Sequence, residues 1–478
     1  MCEEAGIDAV YVATPNPLHA EHAIIAARSG KHVIVEKPMA MSLTECDVMN
    51  EAAEKNGVKL LCGHTHSFDP PIRKMREIVK SGELGKLSMI NSWNYNEFMY
   101  RPRMRHELAM SRGVVLNQGP HHVDIVRLIG GGLVRSVRAM TGIWDKAREW
   151  EGSYSCYLEF EDGTPATLVY SGYGFFDTAE LFNWVGEGGQ YRAPETNLTV
   201  RKKLREVRSV EAEELLKEGM RFGGTREGEF SHVWSGERKQ PFFGHTVVSC
   251  QRGDICQTPD GLKIYGETEQ REIALPAGSR GREAEVEELY DAVVNGRPVV
   301  HGGRWGAATL IYSGYGFFDT AELFEWVGEG GQYRAPETNL NVREKLREVQ
   351  GTEEEEQLKE GMRFGGQREG EYSHVWGGER KQPFFGLIVV SCEKGDIRQT
   401  PDGLKIYGET EKREIQLPAA NRGREAEVEE LYNAVVHNRP VVHDGRWGAA
   451  TLEVCLAILE SAAKRKEIFL SHQVPSPE

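Results

Sequence analysis

Ile7-Asp8-Ala9-Val10-Tyr11-Val12-Ala13-Thr14-Pro15-Asn16 opens the argument about architecture. A short apolar run that stops at a Thr-Pro-Asn turn reads as a buried strand, not as an alternating, half-wet one. A helical pattern then runs from His19 to Ser29 and halts at Gly30, a residue that ends helices by adopting a left-handed backbone. The alternation repeats: residues 32–36 form a second buried-type strand, 43–55 a second helix ending near Gly57, and 58–63 a third strand. Strands alternating with helices predict parallel βαβ units that bind ligands at the carboxyl ends of the strands. Those ends carry Thr14-Pro15-Asn16, Glu36-Lys37-Pro38 and His64-Thr65-His66.

Downstream the pattern changes. Between Lys86 and Tyr170 strand-like runs at 87–96, 134–143, 153–161 and 166–170 alternate with one helical segment, 117–128, which predicts a second, strand-rich part. Residues 168–309 are followed without a gap by a second copy of themselves, residues 310–451. The two copies differ at 25 of 142 positions; this is a single, recent-looking duplication, since a solenoid would need at least three shorter units. Ala-Thr-Leu marks all three junctions, as Ala166-Thr167-Leu168, Ala308-Thr309-Leu310 and Ala450-Thr451-Leu452. After the third junction Leu452, Cys455, Leu456 and Leu459 are spaced for an amphipathic helix over 452–464, expected to pack back on the first sheet. After the second, Ile311-Tyr312-Ser313-Gly314 reads as strand, so the first copy lacks the helix that closes the second. Residues 87–162 have no second copy. The two copies therefore compete for the same partner strands, with an attached pseudo-dimer and a disordered arm as the two outcomes.

Composition narrows the function. Of 478 residues 39% are apolar and 27% charged, which gives a globular chain with ample core. A net charge of -15 argues against a nucleic-acid partner, which needs concentrated positive charge. No stretch has the apolar length of a membrane span, and the first residues do not resemble a signal peptide, so a cytoplasmic protein is expected. Eight scattered cysteines with no Cys-x-x-Cys pair indicate neither a zinc ribbon nor a disulfide framework. His64-x-His66 and His121-His122 lack a third ligand at helix or strand spacing, so no metal site is expected.

Ala13-Thr14-Pro15-Asn16 with His19, Gly30-Lys31-His32-Val33, Glu36-Lys37-Pro38, Gly82-Glu83-Leu84-Gly85 and the stretch from Gly113 to His121 together resemble the Gfo/Idh/MocA oxidoreductases. Arg101-Pro102-Arg103, Gln118-Gly119-Pro120-His121-His122-Val123-Asp124 and Leu470-Ser471-His472-Gln473-Val474 are most similar to the branch containing phthalate dihydrodiol and 4,5-dihydroxyphthalate dehydrogenases. The resemblance implies a fold of α/β plus α+β type: a partial doubly wound, Rossmann-like parallel sheet, then an open, mostly antiparallel sheet that is here partly duplicated. The expected division is 1–68 for the nucleotide-binding part, 69–309 for the sheet domain with copy one at 168–309, and 310–478 for copy two and the returning helix. It implies NAD or NADP as coenzyme, a small-molecule substrate, no nucleic-acid or membrane partner, and a homo-oligomer formed through the sheet face. Family members begin with a strand, a Gly-x-Gly-x-x-Gly turn and a helix; roughly sixty such residues would precede Met1 if ordinary βαβ lengths hold. Losing that turn's charge-assisted hydrogen bonds would weaken a dinucleotide by about three or more orders of magnitude. A catalytically silent oligomerisation or ligand-binding remnant is the alternative to an NAD(P)-dependent dehydrogenase.

Hydride transfer needs a group to move the hydroxyl proton and a cation or donor to steady the developing alkoxide. By resemblance, Lys37 orients the substrate and assists proton transfer, and His121 is the catalytic histidine. Thr14, Pro15, Asn16, His19, Glu36, Lys37 and Pro38 are the coenzyme-side residues. Asn117 stands where the family has Asp; an amide holds a hydroxyl but cannot act as base, so proton transfer rests on His121 with Lys37. His122 either supplements His121 or points away. Arg101 and Arg103, beside Trp93, Tyr95, Phe98 and Tyr100, can bind a carboxylate as planar forks, and a solvated loop is the competing reading.

Overall fold

A computed structural model describes residues 2, 6–101, 113–146, 148–207, 209–220, 234–235, 239–266, 269–276, 281–297 and 299. Beyond them it describes 322–323, 325, 333–334, 345–346, 348–349, 351–362, 376–377, 381–382, 386–392, 394–408, 411–418, 423–439, 445–464 and 466–474. β1 (Ala9–Val12), β2 (His32–Glu36) and β3 (Leu60–Gly63) form a parallel sheet in that order. Helices α1 (His19–Arg28) and α2 (Leu43–Lys55) cover one face. Ala20, Ala23, Ala26 and Ala27 let α1 approach closely, and Met49, Ala52 and Ala53 of α2 join them over Val33 and Val35. Ser42 caps α2 by accepting from Glu45 N at 3.2 Å, while Glu45 reaches back to Met41 N at 2.9 Å. One orphan donor of the helix and the amide just before its cap are thereby satisfied.

α3 (Pro70–Ser81) starts on a proline and ends at Gly82, whose φ of 73° suits a residue without Cβ. It leads into β4 (Leu87–Tyr95), then α4 (Gly113–Asn117) and α5 (Gly119–Gly130). β5 (Val134–Gly142), β6 (Ser153–Phe160) and β7 (Pro165–Ser171) follow, then helix α6 (Val210–Met220). Copy one supplies β8 (His245–Cys250), β9 (Gly253–Thr258), β10 (Gly261–Gly266) and β11 (Gln270–Ala274). The eight strands make one sheet, ordered β11-β10-β9-β8-β4-β7-β6-β5. Only β4 and β7 run parallel; the other neighbours are antiparallel. Its inner residues, among them Ile90, Leu158, Leu168, Val248, Ile255 and Ile264, close on Met75 of α3 and Val126 and Ile129 of α5. The last helix of copy one, α7 (Gly281–Val294), lies on the second face of the parallel sheet, where Leu289 packs with Ile34, Leu61 and Phe68. With both faces covered, the unbroken apolar character of β2 and β3 is explained.

Copy two folds its own four-stranded sheet, β12 (Val389–Cys392), β13 (Gly395–Thr400), β14 (Gly403–Gly408) and β15 (Lys412–Gln416). The register is that of copy one: Val247 opposite Cys256 becomes Val389 opposite Arg398, and Leu262 opposite Ile273 becomes Leu404 opposite Ile415. What differs is the neighbour. β8 pairs with β4 and is buried along its whole length, whereas β12 alternates between half-buried and exposed. Likewise α8 (Gly423–His437) repeats α7, yet Leu431 is 62% exposed where Leu289 is 5%. Copy one has won the competition left open by the sequence. The carboxyl-terminal helix α9 (Gly445–Lys464) begins seven residues before the expected start, and Leu452 and Leu456 face outward at 58% and 56% exposure. Its expected packing on the first sheet fails at these residues, because α7 already fills the second face of β2 and β3. The strand expected at Ile311-Tyr312-Ser313-Gly314 lies outside the described residues.

Candidate active site

The loops after β1 and β2 are tied by one side chain. His19, 1% exposed at the start of α1, lies 2.7 Å by Nε2 from the Thr14 carbonyl oxygen and 2.8 Å by Nδ1 from that of Pro38. His22 Nδ1 lies 3.1 Å from Thr14 Oγ1. Pro15 and Asn16 start the short turn that feeds α1, with the Pro15 oxygen accepting from Leu18 N. Glu36 accepts from Tyr11 OH at 3.1 Å and from Lys37 N at 3.3 Å, so its carboxylate is held against the strand end. The Lys37-Pro38 peptide is cis. A buried imidazole thus fixes two loops at the open end of a parallel sheet, where such folds hold ligands.

Lys37 joins the two sheets. Its Nζ donates to the backbone oxygen of Asn117 at 2.7 Å, at the end of α4. α4 opens at Gly113, whose φ is 73° and where a Cβ would come within 2.4 Å of the Glu151 oxygen, so only glycine fits. Asn117, buried, accepts through Oδ1 from Gln118 Nε2 at 3.0 Å. His121 follows one turn later in α5 and is 8% exposed. Its ring meets the His66 ring edge-on, with centroids 4.8 Å apart, and both rings lie against Phe243, at 5.4 and 4.5 Å. His66 Nδ1 in turn lies 2.9 Å from the buried Asp69 carboxylate. Burial raises the Asp69 carboxyl above its ordinary range, against the pull of His66. A carboxylate–imidazole pair, a second imidazole and an ammonium on a fixed carbonyl form a set able to hold and pass a proton beside a developing alkoxide.

His66 and Asp69 were missed as a functional pair in the sequence. Their signal was present: a histidine at the end of the third strand and an acid three residues on, which one turn of 3-10 helix places side by side. Two other expectations need correction. His122, expected near substrate, is fully buried; its ring nitrogens lie 2.9 Å from Tyr154 OH and 2.8 Å from Ser92 Oγ, and burial drives its pKa down to about 3. It is a neutral core residue because neighbouring residues on a helix face different ways. Arg101, expected as a carboxylate fork for substrate, donates to Glu97 at 3.1 Å and to both oxygens of Glu187 at 3.1 and 2.9 Å. Its planar donors are committed to the protein's own acids, Glu97 four residues before it and Glu187, which no local pattern announces. Arg103 lies outside the described residues. Among the described residues no group of three or more His, Cys, Asp and Glu side chains is placed to hold a metal ion, and no helix is long and apolar enough to cross a membrane.

Residues 1–64 match the model of an oxidoreductase family with an NAD-binding Rossmann fold, and residues 72–192 match the GFO/IDH/MocA C-terminal domain. Over 320 residues the chain is 38% identical to 1-carboxy-3-chloro-3,4-dihydroxycyclo hexa-1,5-diene dehydrogenase of Comamonas testosteroni, covering 65% of this chain and 78% of that protein. It is 30% identical over 217 residues to inositol 2-dehydrogenase 2 of Saccharopolyspora erythraea, covering 44% of this chain and 61% of that one. A crystal structure of a protein from Bordetella bronchiseptica RB50 superposes with a TM-score of 0.58 at 39% identity, over 63% of this chain and 78% of that one. Sequence, sheet order and these relatives agree: the chain belongs to the Gfo/Idh/MocA family of NAD-binding, Rossmann-fold oxidoreductases.

Proposed function

We propose that this chain is an NAD(P)-dependent dehydrogenase acting on a hydroxyl-bearing, carboxylated cyclic compound, with Lys37 and His121 in the proton path. The observation that carries the proposal is the Lys37 Nζ bond to the Asn117 oxygen, which brings the strand-end ammonium to the helix pair that bears His121. Thr14, Pro15, Asn16, Glu36, Lys37 and Pro38 would hold the coenzyme, and His19, buried with both ring nitrogens on backbone oxygens, would act by clamping their two loops at the sheet's open end. When bound, the coenzyme supplies the hydride acceptor or donor. Lys37 steadies the substrate oxygen as its charge grows, Asn117 orients a hydroxyl, and His121 takes or returns the hydroxyl proton. His66, backed by Asp69, positions the His121 ring by edge contact. The carboxylated ring is suggested by the name of the Comamonas relative and by the arginines at 103 and 105. With Arg101 held by Glu187, Arg103 is the arginine assigned to the carboxylate. On this reading residues 1–68 serve the coenzyme, 69–309 form the substrate-side sheet domain, and 310–478 are its added copy. A cytoplasmic location belongs to the same proposal.

The test combines coenzyme titration with turnover. Lys37→Ala and His121→Ala should each lower turnover by about 10²- to 10⁴-fold, the usual worth of a positioned acid or base, with coenzyme affinity changed less than about threefold in His121→Ala, whose residue does not hold the coenzyme. Turnover within tenfold of the parent in either variant would remove that residue from the proton path.

A further inference from the structure

The contacts between the two copies repeat with the copies exchanged. Glu180, in copy one, accepts from Lys405 Nζ at 2.9 Å and from Tyr407 OH at 2.9 Å, both in copy two. Glu322 stands 142 positions after Glu180 and accepts from Lys263 Nζ at 2.8 Å and Tyr265 OH at 2.7 Å, the copy-one counterparts of Lys405 and Tyr407. Such reciprocity, in which i meets j and j meets i, defines an isologous two-fold interface. A fragment resting on an unrelated surface would give one set without the other.

The surfaces involved are the sheet faces turned away from the helices. Along β10, Leu262 and Ile264 enter the core while Lys263 and Tyr265 alternate to the outside, and β14 repeats this with Lys405 and Tyr407. The contact is well packed. The Phe176 and Tyr407 rings, each 1% exposed, meet with centroids 5.5 Å apart, and Asp396 Oδ2 accepts from Phe175 N at 2.6 Å and Phe176 N at 2.7 Å. Two of the differences between copies fall on this face. Arg398 replaces the cysteine found at 256 and donates to Glu180 at 2.8 Å, and Lys412 replaces Gln270 and bonds the Pro194 oxygen. Copy two therefore grips copy one with cations that a second copy one would lack.

We infer that copy two is an intramolecular partner: it occupies in cis the sheet face through which two single-copy chains would pair, and leaves the chain monomeric through that face. The homo-oligomer expected from the sequence is met within one polypeptide. Zero-length carbodiimide cross-linking of the full chain, read by mass spectrometry of tryptic peptides, tests this directly, because Asn183 against Glu325 and Gln270 against Lys412 distinguish the copies. Links Glu180 to Lys405 and Lys263 to Glu322 are expected together in the monomer band. A Glu180 to Lys263 link in a dimer band, either expected link confined to a dimer band, or the absence of both would overturn the inference. A second measurement uses Lys405→Glu with Glu322→Lys, which repels copy two while leaving the copy-one face native. Sedimentation should then change from monomer to a concentration-dependent dimer, and adding Glu180→Lys and Lys263→Glu should restore the monomer. An unchanged sedimentation coefficient in the soluble double variant would count against it.

Discussion

Leu289 and Leu431 are the same residue of the same helix in two copies, which turns the duplication into an internal control. Leu289 is 5% exposed against Ile34, Leu61 and Phe68, and Leu431 is 62% exposed. Truncating a buried leucine to alanine loses its transfer free energy and leaves a cavity, about 3 kcal/mol in a site of this kind. Truncating an exposed one changes stability by less than about 0.5 kcal/mol. The difference should be read where the helix docks, at the amides of residues 33–35, of which Val33 N donates to the Lys59 oxygen at 2.8 Å. If opening of this unit governs exchange, about 3 kcal/mol corresponds to hydrogen exchange roughly a hundredfold faster in Leu289→Ala. Leu431→Ala should leave the same amides within about threefold of the parent. Equal acceleration in the two variants, or a larger effect from Leu431→Ala, would refute the claim that copy one closes the parallel sheet.

Stability should fall on mild acidification. Burial pushes His122 down to about 3 and His245 to about 4, so below about 6.5 the unfolded chain takes up protons that the folded chain refuses. The loss is roughly 1.4 kcal/mol per pH unit for each ring until the folded pKa is reached; a urea midpoint that stays level from about pH 6.5 to about pH 5 would contradict it. Burial alone would raise the Glu213 carboxyl, but Lys217 and Arg148, at 2.7 and 2.5 Å, bring it to about 2. Glu213→Gln removes the carboxylate those two buried cations share and should destabilise α6 and its surroundings by roughly 3 kcal/mol, with at least half recovered on adding Lys217→Met. Urea unfolding decides this, and a single variant within about 0.5 kcal/mol of the parent would show the cluster to be energetically idle.

Much of the first sheet was legible because its signals are local. Continuous apolar runs at 9–12, 32–36 and 60–63, a Ser-x-x-Glu box at Ser42 and glycines at 30, 57 and 82 each encode an element within a few residues. The loops with Thr14, Lys37 and His66 fall at strand ends for the same reason, whereas Lys37 and His121 are candidates by family resemblance and not by any local signal. Tertiary structure decided the rest. The hydrogen-bonding groups of Arg101 and His122 are consumed in large part by distant residues, Glu187, 86 positions away, for Arg101, and Tyr154 and Ser92, 32 and 30 away, for His122. Above all, two copies with nearly the same residues have nearly the same local preferences, so no pattern within them can say which one docks. The deciding quantity is a neighbour: β4 is available once, copy one reaches it, and copy two is left to bury its outer face against its twin.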